Sequence, residues 1–352
     1  MPTAGNLHPL LSVKFPLYAE MRLALPNCRG IEERLHKFKP DLVHLVTEFP
    51  VGLAGLAYAH KHRVPMVSSY HTNMPEYLRY YRLPLLESAM WRYMRWFHGF
   101  ARTTFCPSQS TYKLLETQGF RNLAVWGRGV DTSLFHPRKR DCGLRRQYGR
   151  GRDVLLLYAG RLAAEKSLDV LLDALVIINA QADNVQLVIA GDGPLREELM
   201  RRAPANVTFT GYLPQEELAK VYASCDLFMF PSTTETYGNV VLEAMAAGLP
   251  VVSPDVGGVK ENLVTGHNGL ACAPQSAPEM AEAALRLVRE RGEREEMSLN
   301  ARKHAERRSW DSAFGTLLCG YHYSTSSNPS WSKPTRPARV GGDLGKRRVS
   351  VR

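Results

Sequence analysis

The apolar positions of this chain fall into two rhythms. Short apolar runs bounded by Gly, Pro or polar turns predict buried strands, and apolar positions three and four apart predict one face of a helix. In the first half these alternate: a helix over 31–38, a strand over 42–46, a helix over 52–62, and a strand over 65–70 that runs into His71 and Thr72. A long helix follows over 85–100, with Leu86, Met90, Met94 and Phe97 along one face. A strand over 103–107, a helix over 108–118 capped by Ser108, and a strand over 123–126 complete this half. Residues 1–30 hold Pro2, Pro9, Pro16 and Pro26 and show no clear period.

The pattern breaks at Gly127-Arg128-Gly129-Val130-Asp131 and restarts after the polar stretch 136–140. Strands are predicted over 154–159, 185–190, 207–210 and 226–230, with helices over 168–178, 195–202 and 215–224 between them. From Gly238 a helix runs with Val241, Leu242, Met245 and Ala246 on one face. Gly248 and Pro250 stop it, and Val251 starts another strand. Beyond lie a helix start near Glu261, an extended piece over 269–273 and two terminal helices, with regular structure ending near Trp310. Strand–helix alternation of this kind predicts an α/β fold with parallel sheets. The boundary divides it into a unit over 1–135, a second over 136–312 and a remainder over 313–352.

Ligands of open α/β sheets sit beyond the carboxyl ends of the strands, so the loops there carry the candidate chemistry. Gly238 opens a helix whose N-terminal amides suit a phosphate. Glu235 and Glu243 flank that point as hydroxyl acceptors, an arrangement suited to a nucleotide sugar. Arg161 and Lys166 lie after the strand over 154–159, where a planar fork and a compact charge can neutralise a diphosphate from two sides. A base can lie against Gly211, Tyr212 and Leu213, and His71 lies at a strand's carboxyl end, within reach of a sugar hydroxyl. Each piece alone also fits an ordinary surface loop, a solvated cation or a histidine satisfying a turn.

Composition narrows the class. The 352 residues are 44% hydrophobic and 22% charged, enough for two cores. No apolar run is long enough to span a bilayer, and no secretory signal opens the chain. Six cysteines without C-x-x-C spacing read as buried thiols of a reducing compartment. Residues 324–352 hold seven Lys/Arg and one Asp, so this Pro/Gly/Ser-rich tail, expected to be disordered, carries +6 of the net +11. It is the one feature that would favour a nucleic-acid partner, and none is expected. Aromatics and arginines interleave over 79–102, which suits an anionic membrane surface, although a core-facing helix with a basic outer side shows the same pattern. There is no P-loop, zinc spacing or nucleophile elbow.

Taken together, Gly160-Arg161-Leu162 with Glu165-Lys166, GDGP at 191–194, FTGYL at 209–213, Glu235 to Asn239, Glu243-Ala-Met-Ala and Gly257-Gly258 resemble the donor-site motifs of retaining GT-B glycosyltransferases of family 4. The resemblance spans about residues 40–320. It implies two Rossmann-like domains facing across a cleft, without cofactor or metal. Arg161 and Lys166 would bind the donor diphosphate, with the backbone at Gly238, Asn239 and Val240. Glu235 would hold the donor sugar, Glu243 the ribose, and Gly211 to Leu213 would border the base. His71 matches a histidine near the transferred sugar. The acceptor hydroxyl would attack from the face that the phosphate leaves. His71-Thr72-Asn73, Arg95 to His98 and Val125 to Asp131 are similar to bacterial GDP-mannose-dependent α-mannosyltransferases that build glycolipids, with UDP-sugar-using sulfoquinovosyl-diacylglycerol synthases as near relatives. That implies a lipid or glycolipid acceptor and a cytoplasmic protein peripheral at the inner face of the cell membrane. The family's opening strand and glycine-rich loop have no counterpart here, so the first sheet is expected to lack a strand. A non-catalytic remnant that still binds nucleotide sugar is the alternative, and a GT-B epimerase finds no assignable acid or base.

Overall fold

The computed structural model describes residues 10–15, 18–24, 28–80, 83–149 and 153–326. Strands β1 (Ser12–Phe15) and β2 (Tyr18–Ala24) pair antiparallel as a sheet of their own. Then come α1 (Cys28–Phe38), β3 (Val43–Leu45), α2 (Pro50–His62), β4 (Met66–Ser69), α3 (Met74–Tyr80), α4 (Glu87–His98), β5 (Thr103–Cys106), α5 (Gln109–Thr117) and β6 (Leu123–Val125). Strands β3-β4-β5-β6 form a parallel sheet in chain order, with Val43 opposite Met66 and Val67 opposite Thr103. Among the described residues β3 is one edge of that sheet. Ser108 caps α5 as expected, its hydroxyl accepting from the Thr111 amide at 3.0 Å.

The second half contributes α6 (Cys142–Tyr148), β7 (Val154–Ala159), α7 (Leu168–Asn179), β8 (Val185–Ala190), α8 (Arg196–Arg202), β9 (Val207–Gly211), α9 (Gln215–Ser224), β10 (Leu227–Met229), α10 (Asn239–Ala246), β11 (Val251–Pro254) and β12 (Gly269–Cys272). Its six strands are all parallel, in the order β12-β11-β10-β7-β8-β9. Strands β7 and β10 are buried along their whole length, which is why they read as unbroken apolar runs. Leu157, Phe228, Val251 and Ala284 are fully buried in one core against α7, α10 and α11 (Ala277–Arg289). Burying each large aliphatic side chain there stabilises by about 1.5–3 kcal/mol.

Several expectations need correction. Residues 12–15 and 18–24 pair as antiparallel strands where no period was visible. The long helix breaks into a 3-10 turn, Pro84–Leu86, followed by α4, so Leu86 is exposed rather than in the buried stripe with Met94 and Phe97. Trp91 is buried in the core, whereas Trp96 is exposed. Near Glu261 there is a 3-10 turn, Gly257–Glu261, not a helix start. Three helices end the described residues: α11, α12 (Arg291–Glu306) and α13 (Trp310–Thr325). Trp310 therefore begins a helix instead of ending the structure. Helix α13 returns to the first sheet, where Tyr321 OH lies 2.6 Å from His44 Nδ1 and Arg102 donates to the Ser324 carbonyl at 2.7 Å. Cys106, Cys225 and Cys272 are buried, but Cys28, Cys142 and Cys319 are exposed. The tail beyond 326, Tyr81 and Arg82 lie outside the described residues.

Candidate functional site

The strand order of the larger sheet fixes where a ligand can sit. From β7 the chain steps outward to β8 and β9, returns to lay β10 on the other side of β7, and steps outward again to β11 and β12. The order reverses between β7 and β10, and that reversal leaves a crevice at their carboxyl ends. Residues 160–167 follow β7, and residues 230–238 follow β10 and lead into α10. Lys166 reaches from the first loop to form an ion pair with Glu235 of the second. Ser232 Oγ donates to the same carboxylate oxygen at 3.1 Å. The two charged side chains are only 15% and 16% exposed, so salt screens their attraction little.

Glycines let neighbouring backbones pack against this loop. The Gly258 amide donates to the Glu235 carbonyl at 2.7 Å, and a Cβ on Gly258 would stand 2.3 Å from the Tyr237 backbone. Gly238, at φ +79°, turns the chain into α10 and places the Asn239 and Val240 amides in its first turn, ahead of any intrahelical acceptor. Glu243 lies further along α10. Burial raises its carboxyl from 4.5 to about 7, against a hydrogen bond from Tyr222 OH to its Oε2 at 3.3 Å. Tyr222 lies 5.7 Å from the Phe228 ring, which stacks on Phe230 at 5.8 Å, and Phe230 stacks on Tyr158 at 6.2 Å. Tyr158 OH donates to the Arg161 carbonyl at 2.8 Å, so this row of rings joins the Arg161 loop to the α10 carboxylate. Burial lowers the Arg161 guanidinium, and Glu165 acts in the opposite direction. The Gly191 amide donates to the Gly211 carbonyl at 3.0 Å, tying the two outer loops together. Tyr212 is 80% exposed beside them, and Leu213 packs on the core.

The first sheet meets this loop at His71. Thr236 Oγ1 donates to the His71 carbonyl at 3.0 Å, and Tyr237 OH donates to the Arg128 carbonyl at 3.1 Å. Arg128 Nη2 lies 2.5 Å from His71 Nδ1, and the guanidinium covers the Trp126 ring at 4.4 Å. Burial and then the Arg128 charge push His71 from 6.5 down to about 4. Glu261 Oε1 accepts from the Gln109 and Ser110 amides at 2.8 and 3.3 Å, so the second half caps a helix of the first. A cavity of about 520 Å³ between the halves is walled by Asn73, Trp91, Lys113, Thr234 and Glu235 among others. A second, of about 340 Å³, is walled by Glu48, His71, Thr72 and Met74 among others. Arg161, Lys166 and Glu243 line neither.

Residues 2–134 match the family described as Glycosyltransferase Family 4, and residues 153–290 match Glycosyl transferases group 1. A GDP-mannose-dependent alpha-mannosyltransferase of Mycobacterium tuberculosis is 36% identical over 90% of this chain and 81% of its own length. The chain belongs to glycosyltransferase family 4. Within that family, an alpha-mannosyltransferase of the same description from Corynebacterium glutamicum is 32% identical over 97% of this chain and 83% of its own length. The Arabidopsis thaliana sulfoquinovosyl transferase SQD2 is 33% identical over 85% of this chain and 59% of its own. Among solved structures, Anabaena HepE in complex with UDP and glucose superposes with a TM-score of 0.71 at 23% identity, covering 84% of this chain and 81% of that one. Sucrose-phosphate synthase from Thermosynechococcus elongatus gives 0.70 at 20% identity, over 84% and 76%. The fold of this glycosyltransferase is thus GT-B.

The structure joins Lys166 to Glu235, and carries Gly238, Asn239, Val240 and Glu243 on the element that follows. The ring row from Tyr158 to Tyr222 links the Arg161 loop to Glu243. Sequence reasoning missed Arg128, Glu261 and Glu48. Arg128 was visible only as part of the break Gly127 to Asp131 and of the similar segment Val125 to Asp131, with no role of its own.

Proposed function

We propose that this glycosyltransferase moves a hexosyl group, mannose from GDP-mannose first, to a lipid or glycolipid acceptor with retention at the anomeric carbon. One observation carries the reading: Lys166 and Glu235 face each other at the point where the order of the larger sheet reverses, beside the first turn of α10. That places a cation, a carboxylate and unpaired amides in one crevice. Arg161 and Lys166 neutralise the departing phosphate with the amides of Asn239 and Val240. Glu235 accepts from hydroxyls of the sugar, and Glu243 from the ribose. The bond from the anomeric carbon to the phosphate oxygen breaks as the acceptor oxygen bonds to the same face of that carbon. The acceptor proton passes to the leaving phosphate oxygen, so no protein nucleophile takes part. In this reading residues 136–312 hold the donor and residues 1–135 the acceptor.

The protein works at the cytoplasmic face of a membrane, touching it through residues 79–102. Leu85, Trp96 and Phe100 are exposed there beside the outward Arg92 and Arg95. No helix among the described residues is long and apolar enough to cross a membrane. A second reading, sulfoquinovosyl or glucosyl transfer from a UDP-sugar to a diacylglycerol lipid, draws on the similarity to SQD2 and on an alpha-monoglucosyldiacylglycerol synthase of Streptococcus pneumoniae, 29% identical over 69% of this chain. Incubation with radiolabelled GDP-mannose and a membrane lipid extract separates the two. Labelled glycolipid is the expected product. Transfer from UDP-sugars alone would favour the second reading, and donor binding without any transfer would leave a non-catalytic remnant.

A further inference from the structure

The least expected group beside the crevice is Arg128. It is half-buried, that burial pushes its guanidinium below the ordinary arginine value, and no carboxylate pairs with it among the described residues. A half-buried cation without an anionic partner loses part of its hydration with no charge to offset it, so its place here calls for a reason. Its neighbours are the Trp126 face at 4.4 Å and the Nδ1 of His71 at 2.5 Å. A guanidinium has N–H donors and no acceptor, so His71 Nδ1 must be the bare, accepting nitrogen. In a neutral imidazole the proton then sits on Nε2. The loop that carries Glu235 holds both residues through consecutive side chains, Thr236 on the His71 carbonyl and Tyr237 on the Arg128 carbonyl.

We propose that Arg128 is a positioning residue that fixes His71 as a neutral ring with its proton on Nε2, so that His71 serves the transfer as a hydrogen-bond donor and not as a base. This rests on the glycosyl-transfer reading for its use, but not for its geometry. Nδ1 is occupied by Arg128, and Nε2 already carries a proton, so neither nitrogen can take the acceptor's proton. Burial and the Arg128 charge also oppose a second proton on the ring, holding it near 4. Nε2 has no protein partner among the described residues, and His71 lines the cavity of about 340 Å³ together with Thr72 and Glu48. A hydroxyl-bearing sugar or acceptor is the chemistry that an N–H donor beside a carboxylate fits.

The test is nitrogen NMR of the full chain with labelled histidines, where His71→Gln removes and so assigns the His71 signals. The expected spectrum shows an unprotonated Nδ1 and a protonated Nε2 throughout the neutral range. A proton on Nδ1, or a ring that gains a second proton near its ordinary range, overturns the proposal. Turnover gives the second arm. Arg128→Met should lower kcat by about 10-fold with donor KM nearly unchanged, and Arg128→Lys, which keeps a donor, should recover part of that loss. His71→Gln, which keeps an N–H near the Nε2 position, should retain more turnover than His71→Ala, expected to lose about 100-fold. Equal losses in the two, or wild-type turnover in Arg128→Met, would refute the role. If the wild-type chain transfers no sugar at all, the functional reading fails while the spectrum still decides the tautomer.

Discussion

Glu243 offers a prediction whose size follows from the structure. Its carboxyl is raised from 4.5 to about 7, chiefly because burial in α10 strips water from the charged form. Between those values the native state holds a proton that the unfolded chain has released. Native stability therefore falls as pH rises through this window; no penalty exists below about 4.5, and it is complete above about 7. A shift of that size corresponds to about 3 kcal/mol, at about 1.4 kcal/mol per unit. Glu243→Gln keeps an oxygen that can accept from Tyr222 OH but cannot ionise. The variant should match wild type near pH 4 and exceed it near pH 8 by about 3 kcal/mol, or about 6–12 °C in Tm for a domain of this size. The assay is thermal unfolding of both proteins across pH at one scan rate, since the difference cancels groups that titrate elsewhere. A difference that stays flat from pH 5 to pH 8 would refute the reasoning, because no buried charge would then be opposing the fold. If Glu243 holds the ribose, the same variant should also bind a nucleotide sugar more weakly, trading affinity for stability.

Gly258→Ala puts a Cβ 2.3 Å from the Tyr237 backbone, which cannot rotate away as a side chain would. It should cost about 1–3 kcal/mol by denaturant unfolding and weaken donor binding through the displaced Glu235 loop; an unaltered midpoint contradicts this. Glu261→Ala removes the acceptor of the Gln109 and Ser110 amides and should cost about 1 kcal/mol. Hydrogen exchange at those two amides should accelerate, and unchanged protection would mean that the cap contributes nothing.

The second sheet was legible because its central strands β7, β10 and β11 are buried along their whole length. Val154–Ala159, Val185–Ala190 and Gln215–Ser224 carry the predicted bounds, since continuous apolar runs and a clean helical period leave little to tertiary context. The pairing of β1 with β2 was not legible, because it depends on a partner strand rather than on a period within either strand. Helix α13 was missed for a related reason: Leu317 is buried on the first sheet while Phe314 and Leu318 face outward, so its apolar positions do not mark a single face. It docks through a shape match, since a Cβ on Gly320 would stand 2.4 Å from the Phe105 ring. At the site, charged residues after strands 7 and 10 could be read from motif and position. The Arg128–His71 contact spans 57 residues and the Glu261 cap 152, and local pattern carries no signal over such separations.

The claim on which the account turns is that a nucleotide sugar is held in the crevice between β7 and β10. A thermal-shift comparison of GDP-mannose, UDP-glucose and UDP-sulfoquinovose on wild type and on Lys166→Ala addresses it directly, because a ligand that binds only the folded state raises Tm. The account predicts a saturable rise with GDP-mannose that Lys166→Ala largely removes. An equal rise in both proteins, or none with any of the three donors, would contradict it.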